Sequence, residues 1–162
     1  MLKANKTGNE LEVFIDGRLE RENYTFIPKH RFIACTQSLN QPIYTRQFEI
    51  GKSIYGTKWI CDCILYHPTQ LPKCLVIESK WQQSGGSVDE KYPYLVLNIK
   101  NQRIYNTIIV IDGNGYKKEA LKWLKSQVSD NLIAVFSMSE FTSWANKKIF
   151  KFNANHANKV HV

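Results

Sequence analysis

Three stretches rich in branched and aromatic residues follow one another with short breaks. They are residues 43–50, 57–66 and, after the turn-forming run His67-Pro68-Thr69-Gln70-Leu71-Pro72, 74–77. They read as a strand followed by a hairpin. The last third of the chain alternates instead: a β-branched run over 107–111, a helix from about 117 to 127, a strand over 132–136 and a short helix from 139 to about 147. Strands separated by helices of this length join a sheet in parallel, so the expected sheet is mixed.

Helices flank these strands. Over residues 7–21, Leu11, Phe14, Ile15 and Leu19 recur at helical spacing, and Thr7 with Glu10 makes a capping-box start. After the hairpin, Gly85-Gly86 breaks the strand pattern and Ser87-Val88-Asp89-Glu90 forms a second capping box. The helix it opens carries Tyr94, Leu95 and Leu97 toward residue 100, and Pro93 is awkward there only beyond the first turn. Ser137-Met138-Ser139-Glu140 offers a third cap. The order α, β, β, β, α, β, α, β, α predicts an α/β sandwich. No repeat, low-complexity segment or linker divides it, so one domain over 1–162 is expected.

Composition agrees. With 162 residues, 43% hydrophobic and 12% aromatic, the chain has enough apolar material for a core, which excludes disorder, collagen-like repeats and coiled coil. No run approaches the roughly 18 apolar residues that span a bilayer. The start MLKANKTGNELEVF lacks the apolar centre of a signal peptide, so a cytoplasmic location is expected. Cys35, Cys61, Cys63 and Cys74 lack the paired C-x-x-C spacing of zinc ribbons and read as reduced core thiols. The net charge is +8, and residues 100–162 hold ten basic side chains against four acidic ones. The ten are Lys100, Arg103, Lys117, Lys118, Lys122, Lys125, Lys147, Lys148, Lys151 and Lys159. A polyanionic partner suits this distribution, as does a simply solvated lysine face.

The chemistry concentrates between Trp59 and Gln82. In the return strand Glu78, Lys80 and Gln82 fall on one face, and Ile77, Ser79 and Trp81 on the other. A hairpin symmetric about Gln70 sets Asp62 opposite Glu78. Two carboxylates that close repel one another unless a divalent cation compensates them, and an all-oxygen donor set favours Mg²⁺ over zinc. A metal there can hold a phosphate oxygen and stabilise charge developing at phosphorus, while Lys80 orients or helps to activate the attacking water. The alternative for Glu78 and Lys80 is a plain surface ion pair. The hydrophobic strand, the opposing Asp62 and the Gly-Gly and capped helix that follow all favour the site.

On these residues the chain resembles the PD-(D/E)xK nuclease superfamily, and within it the type II restriction endonuclease-like members. Asp62 stands at the first acidic position, Glu78-Ser79-Lys80 at the E-x-K, and Gln82 completes E-x-K-x-Q. Cys61 replaces the proline of the pattern, its least dependable letter. Residues 86–94 are similar to the helix-start segment that follows the motif in some restriction enzymes. Gly8-Asn9-Glu10-Leu11-Glu12 fits G-x-x-x-E, so Glu12 either joins the metal site or stays solvated at the edge of its helical stripe. The resemblance implies a restriction endonuclease-like αβα sandwich with a central mixed β-sheet. It also implies a Mg²⁺-dependent deoxyribonuclease, with Mn²⁺ able to substitute.

In that reading Asp62, Glu78 and Glu12 bind metal, and Asp62, Glu78, Lys80, Gln82 and Glu12 make up the catalytic set. The implied partners are double-stranded DNA and either a larger recognition subunit or a second copy of the chain. In scale and layout the chain is similar to the small cleavage subunits of heterodimeric type IIS restriction enzymes. A repair or recombination nuclease on the same fold, and a non-catalytic nucleic-acid-binding module, are the competing readings. Elsewhere, Trp59, Trp81, Trp123 and Trp144 are expected in the core rather than stacked on bases. Lys91 either meets phosphate or is solvated. His30, His67, His156 and His161 show no partner spacing. Asp112-Gly113-Asn114-Gly115 lacks the G-K-S/T of a P-loop and reads as a turn after a strand, with contact to the DNA backbone as the alternative.

Overall fold

The computed structural model describes residues 2–147. In chain order it runs through α1 (Leu2–Arg21), β1 (Thr25–Phe26), a 3-10 turn (Lys29–Arg31), α2 (Phe32–Ser38), β2 (Ile43–Lys52), β3 (Lys58–His67) and β4 (Leu71–Trp81). Then come α3 (Val88–Gln102), β5 (Asn106–Asp112), α4 (Lys118–Ser126), β6 (Leu132–Phe136) and α5 (Met138–Asn146). The six strands lie side by side in sequence order. β2, β3 and β4 are antiparallel, whereas β4, β5 and β6 are parallel and β1 runs parallel to β2. The sheet is mixed, as the spacing of helices and strands predicts.

Helices cover both faces. On one, Phe32 of α2, Tyr92, Leu95, Val96 and Ile99 of α3 and Leu124 of α4 share a core with Ile64, Val76, Ile109 and Ile111 of the sheet. On the other, Leu11, Ile15 and Leu19 of α1 and Phe141, Trp144 and Ala145 of α5 share one with Leu65, Leu75, Ile77, Ile108 and Val110. This is the expected αβα sandwich. Residues 107–111 of β5 are buried without a break, since a parallel strand inside such a sandwich has no solvent face. Each fully buried branched or aromatic side chain contributes about 1.5–3 kcal/mol by leaving water.

Some local expectations are corrected. α1 begins at Leu2, so Thr7 lies inside the helix and does not start it. α3 starts after Ser87 as expected, but Ser87 sits at φ −79°, ψ 3°, outside the extended geometry of a cap, and its side chain makes no cap bond. Pro93 lies beyond the first turn of α3 and is tolerated on its exposed side, where water can reach the carbonyl that the ring leaves without a donor. The box opening α5 forms in full: Ser137 Oγ accepts from Glu140 N, and the Glu140 carboxylate accepts from Ser137 N. β1, the 3-10 turn and α2 have no counterpart in the sequence reading, because two residues show no periodicity and α2 spans two turns. Trp59 and Trp144 are buried, whereas Trp123 is exposed.

All four cysteines are free, three of them buried. Burial pushes the thiols of Cys61, Cys63 and Cys74 up, that of Cys74 to about 12, so they pack as apolar groups. Lys148, Lys151, Lys159, His156 and His161 lie outside the described residues. Among those described, no helix is long and apolar enough to cross a membrane.

Candidate active site

Strand β4 has ladder partners on both sides only as far as Ile77. Cys63↔Ile77 is the last pair with β3, whereas pairing with β5 continues from Leu75↔Asn106 to Trp81↔Asp112. One step beyond Cys63↔Ile77, Asp62 falls opposite Glu78, the register expected of a hairpin symmetric about Gln70. The chain reaches that register through an asymmetric turn. His67 pairs with Leu71, and β4 then inserts two more residues than β3 before Leu65↔Leu75, a bulge that holds Cys74 at φ +65°.

Beyond Ile77 the Asp62 side chain stands in for a main-chain acceptor. Its Oδ2 accepts from Ser79 N at 2.8 Å and from Ser79 Oγ at 3.3 Å. The apolar residues of β3 change sides here: Trp59 and Cys61 join the α3/α4 core, Cys63 and Leu65 the α1/α5 core. Across from Asp62, between the pairs Arg46↔Cys63 and Phe48↔Cys61, Gln47 of β2 adopts φ +51°. A left-handed residue other than glycine costs about 1–3 kcal/mol, so the packing around it holds this kink beside the carboxylate.

Lys80 closes the site. Its Nζ donates to Glu78 Oε2 at 3.3 Å, to Asp62 Oδ2 at 3.5 Å and to the Ser79 carbonyl at 3.2 Å. Glu78 is 2% exposed, and its Oε1 is buried with no hydrogen-bond partner. Burial pushes the Glu78 carboxyl up to about 8; Lys80 pulls it down and Asp62 pushes it further up. Burial works against the charge on Lys80, but Glu78 and Asp62 outweigh it and raise its pKa. The ammonium is therefore held protonated between two acids, one of which does not readily ionise alone.

Can this arrangement take a divalent cation? An orphaned carboxylate oxygen in a buried site is the group such an ion satisfies, and the donors are all oxygen. Among the described residues no group of three or more His, Cys, Asp or Glu side chains could hold a metal ion. That is no obstacle for Mg²⁺, which keeps several waters and commonly binds through one or two carboxylates plus substrate phosphate. Asp62 and Glu78 fit that description.

The other expected site residues fall elsewhere around this centre. Glu12 pairs through Oε2 with Arg46 Nη1 at 2.8 Å, and Arg46 Nε also meets Asp16 Oδ2 at 2.8 Å. Arg46 of β2 stands opposite Cys63, the neighbour of Asp62, so Glu12 of α1 is committed to an arginine on the next strand over. Sequence reasoning missed Asp16 and Arg46; the Glu12 and Asp16 spacing of four, which puts both on one helix face, was the available signal. Gln82 is buried, and its Nε2 donates to Gly115 O at 3.0 Å and Gly86 O at 3.4 Å. Lys91 is exposed in the first turns of α3. His67 Nδ1 accepts from Thr69 N and Gln70 N and so organises the β3–β4 turn.

Compared with known proteins, residues 3–149 match the family model described as the PD-(D/E)XK nuclease superfamily domain. No curated protein and no solved structure matches the chain.

Proposed function

Because the chain belongs to the PD-(D/E)XK nuclease superfamily, we propose that it is a Mg²⁺-dependent DNA endonuclease of restriction type, with Mn²⁺ able to substitute. The observation that carries this reading is the Asp62, Glu78 and Lys80 cluster, in which a buried carboxylate oxygen is left without a partner. Asp62 and Glu78 hold the cation, which when bound polarises the scissile phosphate and lowers the pKa of its water. Lys80 keeps a proton at Nζ, orients the attacking water and offsets the negative charge that builds at phosphorus. Ser79 fixes the Asp62 carboxylate through its N–H and hydroxyl. Glu12 supports the site through Arg46, and Gln82 through the loops it ties down.

The family model matches residues 3–149, and in this reading base readout falls to the loops of that domain or to a second protein. The reading therefore extends to two arrangements. In one the chain cuts one strand beside a larger recognition subunit; in the other, two copies cut a palindrome. Purified protein, alone and with its partner, should nick or cut plasmid DNA in Mg²⁺ or Mn²⁺. Asp62→Ala and Lys80→Ala should each lower the rate at least about 100-fold, with far-UV circular dichroism unchanged. Wild-type protein that leaves plain, branched and mismatched DNA intact would remove the proposal, and cutting confined to branched or mismatched DNA would replace restriction with repair.

A further inference from the structure

From Glu78 to Trp81 the strand that carries Lys80 is paired on one edge alone, with the Asp62 to Ser79 bonds as its hold on the β3 side. Its far end is anchored by the segment Asp112-Gly113-Asn114-Gly115. Gln82 N donates to Asp112 O at 3.0 Å, Gly115 N donates to Gln82 O at 2.8 Å, and the Gln82 side chain returns to Gly115 O. The two main chains cross with no room between them. A Cβ on Gly113, at φ +101°, would lie 2.0 Å from the Gln82 carbonyl oxygen, and one on Gly115 would lie 2.5 Å from both N and O of Ser84. Neither obstacle is a flexible side chain. Asp112 also secures the crossing from behind: its Oδ1 accepts from Gly113 N, and its Oδ2 from Met138 N at the start of α5.

We infer that residues 112–115 form a positioning clamp that sets where Lys80 Nζ stands relative to Asp62 and Glu78. This rests on the nuclease reading above. In this role the clamp acts through the β4 end. A strand end paired on one side and released at Gln82 can shift at Lys80, and a misplacement of about 1 Å costs about 100-fold in rate. Clearing the Gly115 clash requires a shift of that size.

The test compares Gly115→Ala with Gly56→Ala, measuring steady-state plasmid nicking by the full chain, alone and with any partner subunit, together with amide hydrogen exchange. Gly56 lies between β2 and β3 at φ +76° in open space, so its alanine variant strains the fold without touching β4. Gly115→Ala should lower kcat about 100-fold with KM within twofold, and speed exchange at Ser79 and Lys80. Gly56→Ala should lower Tm yet keep kcat. If Gly115→Ala keeps its kcat, or both variants lose activity in proportion to Tm, the inference is overturned. Should Gly115→Ala fail to fold, Gln82→Ala removes two bonds and adds no atom. It should show the same split at about tenfold, and an unchanged kcat there is equally fatal. Wild-type protein that cuts nothing fails the nuclease reading itself, and the exchange comparison then decides whether the crossing holds the strand end.

Discussion

Glu78 is a carboxyl group in a place that favours its neutral form. Burial raises its pKa to about 8, and the Lys80 ammonium is not enough to bring it back. The sign of the consequence is fixed. Between about 4.5 and 8 the folded protein binds this proton and the unfolded chain does not, so the stability of metal-free protein falls as pH rises through that window. Glu78→Gln has no such proton to lose. Thermal unfolding in EDTA at pH 5, 6, 7 and 8 should show wild-type Tm dropping relative to Glu78→Gln, with the gap widest at pH 8. Parallel curves would show that Glu78 does not titrate in this window. At this scale the sequence revealed the E-x-K and its opposing aspartate, since alternation along a strand is local. It did not reveal that Arg46 claims Glu12, because that ion pair joins residues 34 apart in the chain.

Among the elements, helix starts separate what sequence motifs promise from what they deliver. Three capping boxes were legible, and one, Ser137 with Glu140, closes in both directions. The Ser87 hydroxyl makes no cap bond, and Thr7 is interior to α1. A capping box is a local option that the approach of the chain takes up or refuses. Ser137→Ala should accordingly cost about 1 kcal/mol, and Ser87→Ala less than about 0.5 kcal/mol, in urea unfolding. Equal costs would contradict the bonding found here. The β3–β4 hairpin teaches the same lesson about register. The expected register, with Asp62 opposite Glu78, holds one step beyond the last ladder pair, yet it arises from a bulge at Cys74 rather than from a symmetric turn.

For the molecule as a whole, the site costs stability that the proposed cation would return. Asp62, Glu78 and Lys80 sit where a sheet would otherwise be apolar, and an orphaned oxygen remains. A cation that binds the folded form alone recovers part of that loss: at 100 times its Kd it adds about 2.7 kcal/mol, or about 5–10 °C in Tm for a domain of this size. Titrating Mg²⁺ into wild-type protein should raise Tm on that scale, and into Glu78→Gln should not. A rise of equal size in both would place the bound ion elsewhere. The basic excess of the last third lies partly along α4, where Lys118, Lys122 and Lys125 project, with Lys125 paired to Glu140 at 2.9 Å.

What the sequence by itself determined is the order of the elements, the mixed sheet and the gathering of Asp62, Glu78 and Lys80, because periodicity, turn chemistry and hairpin pairing act over a few residues. Three matters were decided only by tertiary structure. They are the depth at which Glu78 is buried, the commitment of Glu12 and Asp16 to Arg46, and the crossing of Gly113 and Gly115 over residues 82–84. Each depends on which surfaces meet when helices close over a sheet. Asp112-Gly113-Asn114-Gly115 looks like any turn until the strand end it must clear is in place, about 2 Å from where a side chain would have stood.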